Sequence, residues 1–216
     1  MSDVTEAPLT VVMDQLADAS IEAQSPLHHA DLATMAQKGP KAGGVVFKED
    51  KLKGLLTLRL NADNAELKAS AEKVLGVTLP TQPLTSVESG EVSVRWISPD
   101  EWLVVVPGLK AFDLETAFQA EVSGHYQLVN VSGGNTVFLL SGANVRDVLK
   151  KSTPIDVHPS EFPVGKVVST VFAKSSAVIR RVGEDQYELV VRRSFADYLW
   201  LWLQDASREY GLVVEV

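Results

Sequence analysis

The residue types that could support catalysis or metal binding are present in the sequence, but their spacing does not form a recognisable site. His28 and His29 are adjacent, so their side chains point in different directions in a helix or a strand, unlike paired metal ligands. Asp100 and Glu101 could act as an acid–base pair. They lie in a predicted hairpin turn, however, where no burial would raise a carboxylate pKa. We therefore predict no catalytic residue and no metal ligand in this chain.

Motifs for nucleophiles and for phosphate binding also fail. Gly165-Lys166 lacks the upstream glycine and the following Ser or Thr of a P-loop. The stretch 132–135, Ser-Gly-Gly-Asn, follows a predicted strand, but no helix begins there to direct its N–H groups at a phosphate. The chain contains no cysteine, which excludes disulfides, thiolate zinc sites, cysteine nucleophiles and thioether-linked cofactors. The sequence predicts that no cofactor binds to this chain.

Composition limits the partners of the protein. With 45% apolar and 22% charged residues the chain is typical of a globular protein. The net charge of −8 argues against an extended nucleic-acid interface, which requires clustered Lys and Arg. No apolar stretch approaches the roughly 20 residues that cross a bilayer, and the N-terminus does not resemble a secretory signal. We expect no nucleic acid, no membrane and a cytoplasmic location.

The aromatic residues of the predicted last helix, within FADYLWLWLQDAS (195–207), remain as candidates for function. At 3.6 residues per turn one apolar stripe contains Phe195, Leu199, Trp202 and Ala206. Trp200 and Leu201 lie outside that stripe, and a helix that is apolar over most of its circumference is covered on more than one side. The second cover is either more of this chain or another protein. Aromatic residues are common at interface centres, so we predict Trp200 and Leu201 as subunit-contact residues.

The elements that carry these residues occur twice. RWISPDEWLVVV (95–106) matches RRVGEDQYELVV (180–191) in turn position and apolar pattern, and LLTLRLNADNAE (55–66) matches TVFLLSGANVRD (136–147). Each half therefore reads β-α-β-β-α, which indicates an internal duplication. We predict an α+β fold of two related split βαβ-type halves, with antiparallel-rich sheets and helices on one face. The expected boundaries are 1–25 for an acidic N-terminal arm, 26–125 for the first half and 126–216 for the second half.

Three segments together resemble the gamma subunit family of heterotetrameric sarcosine oxidase. They are RWISPDEWLVV, VNVSGGNTVFLLSGANVRDVLKKSTPIDVHPSEFPVG and VRRSFADYLWLWLQDAS, and the likeness is colinear from about residue 25 to about residue 206. The family is similar in fold to the tetrahydrofolate-binding aminomethyltransferase domain. One departure is Asn130, where many relatives are expected to have Asp.

The resemblance implies a function. It identifies the chain as a non-catalytic assembly subunit of a complex that oxidises sarcosine to glycine. That complex produces hydrogen peroxide and either formaldehyde or 5,10-methylenetetrahydrofolate. The implied partners are the alpha, beta and delta subunits, and the implied cofactors lie on those other chains: NAD and tetrahydrofolate on alpha, FAD and covalent FMN at beta, zinc on delta. The alternative is a stand-alone folate-binding module or an aminomethyltransferase-like one-carbon protein, in which Arg181, Arg192 and Arg193 would bind folate.

Overall fold

The computed structural model describes residues 22–216, so most of the predicted N-terminal arm lies outside the described residues. The described helices are α1 (Leu32–Lys38), α2 (Ala65–Leu75), α3 (Lys110–Glu121), α4 (Val145–Ser152) and α5 (Ala196–Ala206). The described strands are β1 (Val45–Asp50), β2 (Gly54–Leu60), β3 (Ser86–Ser89), β4 (Val92–Ser98), β5 (Glu101–Val106), β6 (Tyr126–Asn130), β7 (Asn135–Ser141), β8 (Val167–Phe172), β9 (Ser175–Gly183), β10 (Gln186–Arg192) and β11 (Leu212–Glu215).

The first sheet has five strands in the order β3-β4-β5-β2-β6, and every neighbouring pair is antiparallel. Helices α2 and α3 cover one of its faces, because each of them buries one apolar stripe. Leu67 and Ala71 of α2 and Leu114 and Phe118 of α3 pack there against alternate strand residues such as Trp102. This alternation is the period of two that strands require for a core-facing side.

The second sheet has six strands in the order β11-β1-β7-β10-β9-β8. Its pairs are antiparallel except for the parallel pair of β1 with β11. Side chains from α1, α4 and α5 belong to the core on one face of this sheet. The end of the predicted arm is attached here too, since buried Ser25 donates a hydrogen bond to Glu49 of β1 at 2.7 Å.

The two sheets pack against each other through their other faces. Leu55 and Val105 of the first sheet meet Val137 and Val190 of the second sheet in a separate apolar cluster. The layers therefore run helix, sheet, sheet, helix. These findings confirm the predicted α+β class, the split βαβ halves, the antiparallel-rich sheets and the helices on one face of each sheet.

The burial pattern fixes the register of the duplication. Trp102 and Tyr187 are fully buried at equivalent positions 85 residues apart, as the alignment of the two hairpins predicts. For the strands β2 and β7 the predicted register is wrong by one residue. Leu56 faces the helix side of its sheet, and the residue that does so in β7 is Phe138 rather than Val137. A slip of one residue moves every side chain of a strand to the opposite face.

The break between the two sheets does not lie at the predicted boundary between residues 125 and 126. Strand β6 follows that boundary but pairs with β2 in the first sheet. Strand β1 precedes it but pairs with β7 and β11 in the second sheet. After β6 the chain passes from the first sheet to the second through the short 3-10 turn Ser132–Gly134. Each predicted half therefore contributes one strand to the sheet of the other half.

Candidate functional site

Trp200, predicted to contact another subunit, is buried within this chain. Only 3% of it is exposed, and its ring centroid lies 4.6 Å from that of Phe47 in β1. The buried stripe of α5 consists of Ala196, Leu199, Trp200, Leu203 and Ala206. The prediction that Trp200 lies on an uncovered side of the helix is therefore wrong. The helix buries a single stripe, which is shifted from the predicted one so that it includes Trp200 and leaves out Phe195.

Strand β1 explains why Trp200 is needed at this position. In the first half β6 pairs directly with β2, whereas in the second half β1 lies between β7 and β11. The inserted strand presents Phe47 towards α5, and Trp200 covers it. The equivalent residue of α3, 85 positions earlier, is Glu115, which is only partly buried. Its carboxylate accepts a hydrogen bond from Asn130 Nδ2 at 2.9 Å.

Asn130, the residue that departs from the expected family pattern, has a structural role here. Its amide donates to Glu115, and its carbonyl oxygen accepts hydrogen bonds from the Ser132 backbone N–H at 3.1 Å and the Ser132 hydroxyl at 2.6 Å. An aspartate at this position could accept from Ser132 but could not donate to Glu115. The amide is therefore matched to the neighbouring carboxylate in this chain.

Leu201 differs from Trp200 because 57% of it is exposed. Phe195, predicted to lie on the core stripe, is 42% exposed instead. Trp202 is partly buried, and its Nε1 donates to the hydroxyl of Ser152 in α4 at 2.9 Å. Leu201 thus stays a predicted subunit-contact residue, whereas Trp202 and Trp200 pack within the chain.

A second exposed apolar surface lies where two equivalent loops of the duplication meet. The backbone N–H of Val167 donates to Leu84 O at 2.9 Å, and that of Ser86 donates to Gly165 O at 3.0 Å. Leu84 is 38% exposed and Val164 is 58% exposed beside this contact. The backbone is left-handed at both Leu84 (φ +62°) and its counterpart Gly165 (φ +88°). The repeated proline-containing loops were visible in the sequence, but their mutual contact was not.

Between the sheets lies a cluster of charged residues. Arg95 is fully buried and donates to Glu188 Oε2 at 2.7 Å, while its Nε and Nη1 have no partner within residues 22–216. Arg180 also donates to Glu188, at 3.2 Å, and forms an ion pair with Glu88. Burial lowers the pKa of Arg95 from its ordinary value, and the Glu188 carboxylate opposes that shift. Glu188 is thus the common partner of both guanidinium groups.

Beside this cluster, a cleft of about 230 Å³ opens between the sheets. We call it the inter-sheet cleft. Its polar lining comes from Thr57, Glu101, Asn135, Ser169, Ser176 and Arg192, and its apolar lining comes from Ile97, Leu103, Val131, Ala177, Val178 and Val190. These residues belong to seven strands and to the connection before β7. No local sequence motif could have indicated such a site.

The three arginines considered for folate binding do not converge. The guanidinium of Arg181 donates to the backbone carbonyls of Phe162, Gly183 and Glu184. Arg193 donates to Gln24 O at 3.3 Å, and only Arg192 lines the inter-sheet cleft. Arg192 and Arg193 also line a shallow depression beside Gly133 and Gly134, but Arg181 is bound elsewhere, so the three do not form one site.

The predicted turn carboxylates are held by neighbouring side chains. A hydrogen bond from the Ser98 hydroxyl at 2.9 Å and another from Arg59 at 3.2 Å lower the pKa of Asp100 from its ordinary value. Glu101 lies 3.6 Å from the Arg59 Nε. Within residues 22–216 no three His, Cys, Asp or Glu side chains are grouped as metal ligands would be. Among the helices of that same range, none is both long and apolar enough to span a membrane.

Tyr187 provides a testable consequence of burial. It is fully buried, its hydroxyl has no partner among the described residues, and burial raises its pKa. We expect Tyr187→Phe to raise the free energy of unfolding at neutral pH by about 1 kcal/mol, because it removes an unpaired buried polar group. The unfolded phenol ionises near pH 10, so wild-type stability must also fall as the pH rises from there through the folded pKa. That contribution disappears in the variant.

Urea denaturation at pH 7 and at alkaline pH tests this expectation. Tyr126→Phe is the matched control, because the Tyr126 hydroxyl donates to Phe118 O at 3.1 Å. Loss of that hydrogen bond should destabilise the protein by about 1 kcal/mol. Equal destabilisation by both substitutions would show that the Tyr187 hydroxyl is paired.

Comparison with known proteins gives a consistent result. The family model described as "Sarcosine oxidase, gamma subunit family" matches residues 59–209. Sarcosine oxidase subunit gamma from Arthrobacter sp. is 32% identical over 195 residues, covering 87% of this chain and 91% of the relative. The protein of the same name from Corynebacterium sp. (strain P-1) is 33% identical over 193 residues, with the same coverage.

Two solved structures show the same fold. A chain of heterotetrameric sarcosine oxidase from Corynebacterium sp. U-96, in complex with pyrrole 2-carboxylate, superposes with a TM-score of 0.77 at 28% identity. The match covers 87% of this chain and 95% of that one. Glycine cleavage system aminomethyltransferase T from Bartonella henselae gives a TM-score of 0.56 at 15% identity, covering 88% of this chain and 51% of that one. The second likeness concerns the fold alone and confirms the predicted relation to the aminomethyltransferase fold.

Proposed function

Because the chain belongs to the sarcosine oxidase gamma subunit family, we propose that it is a non-catalytic assembly subunit of a heterotetrameric sarcosine oxidase. The observation that supports this most strongly is the extent of the similarity, which covers 91% of the Arthrobacter gamma subunit. The match to a chain of the heterotetrameric enzyme at a TM-score of 0.77 supports it independently. The proposed partners are the alpha, beta and delta subunits.

The proposal includes a division of labour between the chains. The complex demethylates sarcosine to glycine, with production of hydrogen peroxide and of formaldehyde or 5,10-methylenetetrahydrofolate. FAD, covalent FMN, NAD, zinc and tetrahydrofolate bind to the other subunits, and the complex works in the cytoplasm. The buried charged side chains of this chain support a structural role, since Glu188 accepts hydrogen bonds from both Arg95 and Arg180 between the two sheets.

Purification of the tagged chain from its native host tests the proposal. We expect three partner chains, each in a one-to-one ratio with this chain by native mass spectrometry. We also expect the purified complex to show a flavin absorption spectrum. A colourless protein that purifies without any partner would contradict the proposed function. Sarcosine-dependent peroxide formation by the purified complex gives an independent readout of the same assembly.

The exposed leucine on α5 yields a specific prediction about assembly. Leu201 is 57% exposed, and a charge introduced at an apolar interface leaves an unpaired buried group that weakens association. We expect Leu201→Asp to reduce the yield of co-purified partners at least about tenfold, whereas the fold of the chain stays intact. Circular dichroism and the native mass of the purified material measure the two effects separately.

Leu109→Asp is the matched control for this experiment. Leu109 is 76% exposed at the start of α3, in the other half of the chain. The same change of residue there should leave the partner yield unchanged. If Leu201→Asp assembles as fully as the control, Leu201 is not a contact residue, and the exposed surface of Leu84 and Val164 is the next one to test.

A further inference from the structure

The duplication produces two equivalent positions between the sheets, and they are filled differently. At the first position the Arg180 guanidinium is held by hydrogen bonds to two hydroxyls and two carboxylates, those of Ser86, Ser93, Glu88 and Glu188. Strand register gives the equivalents of these four residues in the other half. They are Val167, Val178, Ser169 and Leu103 respectively.

The second position is the inter-sheet cleft. Leu103, Val178 and Ser169 all line it. The equivalent of Arg180 is Arg95, which does not fill this volume but reaches Glu188 at 2.7 Å. Leu103 and Val178 offer no acceptor to a guanidinium. Among the described residues, the carboxylate that accepts from Arg95 is that of Glu188 in β10. The position that holds the Arg180 guanidinium in one half is therefore an open cleft in the other half.

The cleft carries charge of both signs. Arg192 lines it with an exposed side chain, and within residues 22–216 its guanidinium has no hydrogen bond and no ion pair. The Glu101 carboxylate lines it as well, and its nearest cation among the described residues is Arg59, whose Nε lies 3.6 Å away. Hydroxyls of Thr57, Ser169 and Ser176 and the amide of Asn135 add hydrogen-bonding groups, while the remaining lining is aliphatic. A ligand that satisfies all these groups has an anionic end, a cationic end and a small apolar part.

The volume of the cleft limits the size of the ligand. The volume of about 230 Å³ is below the roughly 300–1,000 Å³ of pockets that hold drug-sized molecules. A folate is too large for this space, whereas an amino acid with a short aliphatic side chain is not. We propose that the inter-sheet cleft binds a small free amino carboxylic acid. Its carboxylate pairs with Arg192, its ammonium group with Glu101, and its side chain contacts Leu103, Val178 and Val190.

Photo-crosslinking tests this assignment on the intact protein, purified with whatever subunits accompany it. The probe is photo-leucine, an amino acid that carries a diazirine in an aliphatic side chain, and the labelled peptides are mapped by mass spectrometry. We expect label on the cleft strands within 169–178 of this chain, and competition by L-leucine. Arg192→Gln should reduce the label at least about tenfold, because a charge-assisted hydrogen bond is lost. Glu101→Gln should reduce it as well.

Arg193→Gln is the matched control, because Arg193 is adjacent in sequence but binds Gln24 O instead of lining the cleft. It should label as the wild type does. Absence of label from the cleft at millimolar probe, or full labelling of Arg192→Gln, would overturn the proposal. Isocaproate lacks the amino group of leucine, and equal competition by isocaproate would overturn the pairing with Glu101. Because the mapped position lies in this chain, the readout does not depend on assembly or turnover of the complex.

Discussion

Replacing Trp200 with alanine is expected to lower the free energy of unfolding by roughly 3–5 kcal/mol. The indole is 3% exposed, and it packs against Phe47 with the ring centroids 4.6 Å apart. Phe47 in turn meets Phe138 edge-on at 5.1 Å. The substitution therefore removes a large buried side chain and leaves a cavity between α5 and β1 that two aromatic rings are unable to close. Urea denaturation followed by circular dichroism measures the loss.

The neighbouring residue provides the control. Leu201→Ala should change the stability of the chain by less than about 0.5 kcal/mol, since most of Leu201 is exposed and surface substitutions have small effects. Amide hydrogen exchange should show that Trp200→Ala increases exchange in β1 as well as in α5. Comparable losses for the two substitutions would mean that Trp200 is not covered by β1.

The two aromatic positions also show where sequence reasoning stops. In the run 198–203 every residue is apolar, so a stripe through Trp202 and a stripe through Trp200 both fit a period of 3.6 residues. The choice between them depends on Phe47, which lies more than 150 positions earlier in the chain. No local pattern contains that information. The helix itself was predictable, but which of its apolar stripes is buried was not.

The duplication was predictable for a different reason. The hairpins that contain Trp102 and Tyr187 have a turn of defined length, and that turn fixes their register. Strand β2 has no such reference, and both of its faces are buried, by Leu56 towards the helices and Leu55 towards the other sheet. A strand buried on both faces reads as a continuous apolar run. A shift of one residue is therefore not visible in its sequence.

The inter-sheet cleft was not predictable from spacing at all. Arg192 was a candidate because it lies near Arg181 and Arg193 in sequence, yet only Arg192 lines the cleft. The other charged residue of the lining, Glu101, was predicted to be a solvated turn residue. It lies at the start of β5, where the strand faces the second sheet. Sites that form between two sheets draw on residues distant in sequence, so only the packing of the sheets brings them together.

Replacing Glu188 with alanine is expected to lower the free energy of unfolding by about 3 kcal/mol. Glu188 accepts from Arg95 at 2.7 Å and from Arg180 at 3.2 Å. Arg95 is fully buried and has no other charged partner in hydrogen-bond contact among the described residues. Loss of the carboxylate therefore leaves a buried cation without compensation, and that cost exceeds the loss of packing. Denaturation in urea measures the change, and Glu184→Ala on the exposed turn is the control.

A double substitution separates the charge from the packing at this position. Leu103 is the equivalent of Glu188 in the first half, and it is 8% exposed against the facing sheet. Leucine is thus compatible with the position of Glu188 in β10. We expect Arg95→Met combined with Glu188→Leu to recover most of the stability lost in Glu188→Ala. Replacing both partners of a buried ion pair by apolar residues of similar volume is often neutral or stabilising. Arg180 retains Glu88 and its two serine partners in this variant. A double variant as unstable as Glu188→Ala would show that the carboxylate acts through packing and through Arg180, rather than by neutralising the buried charge of Arg95.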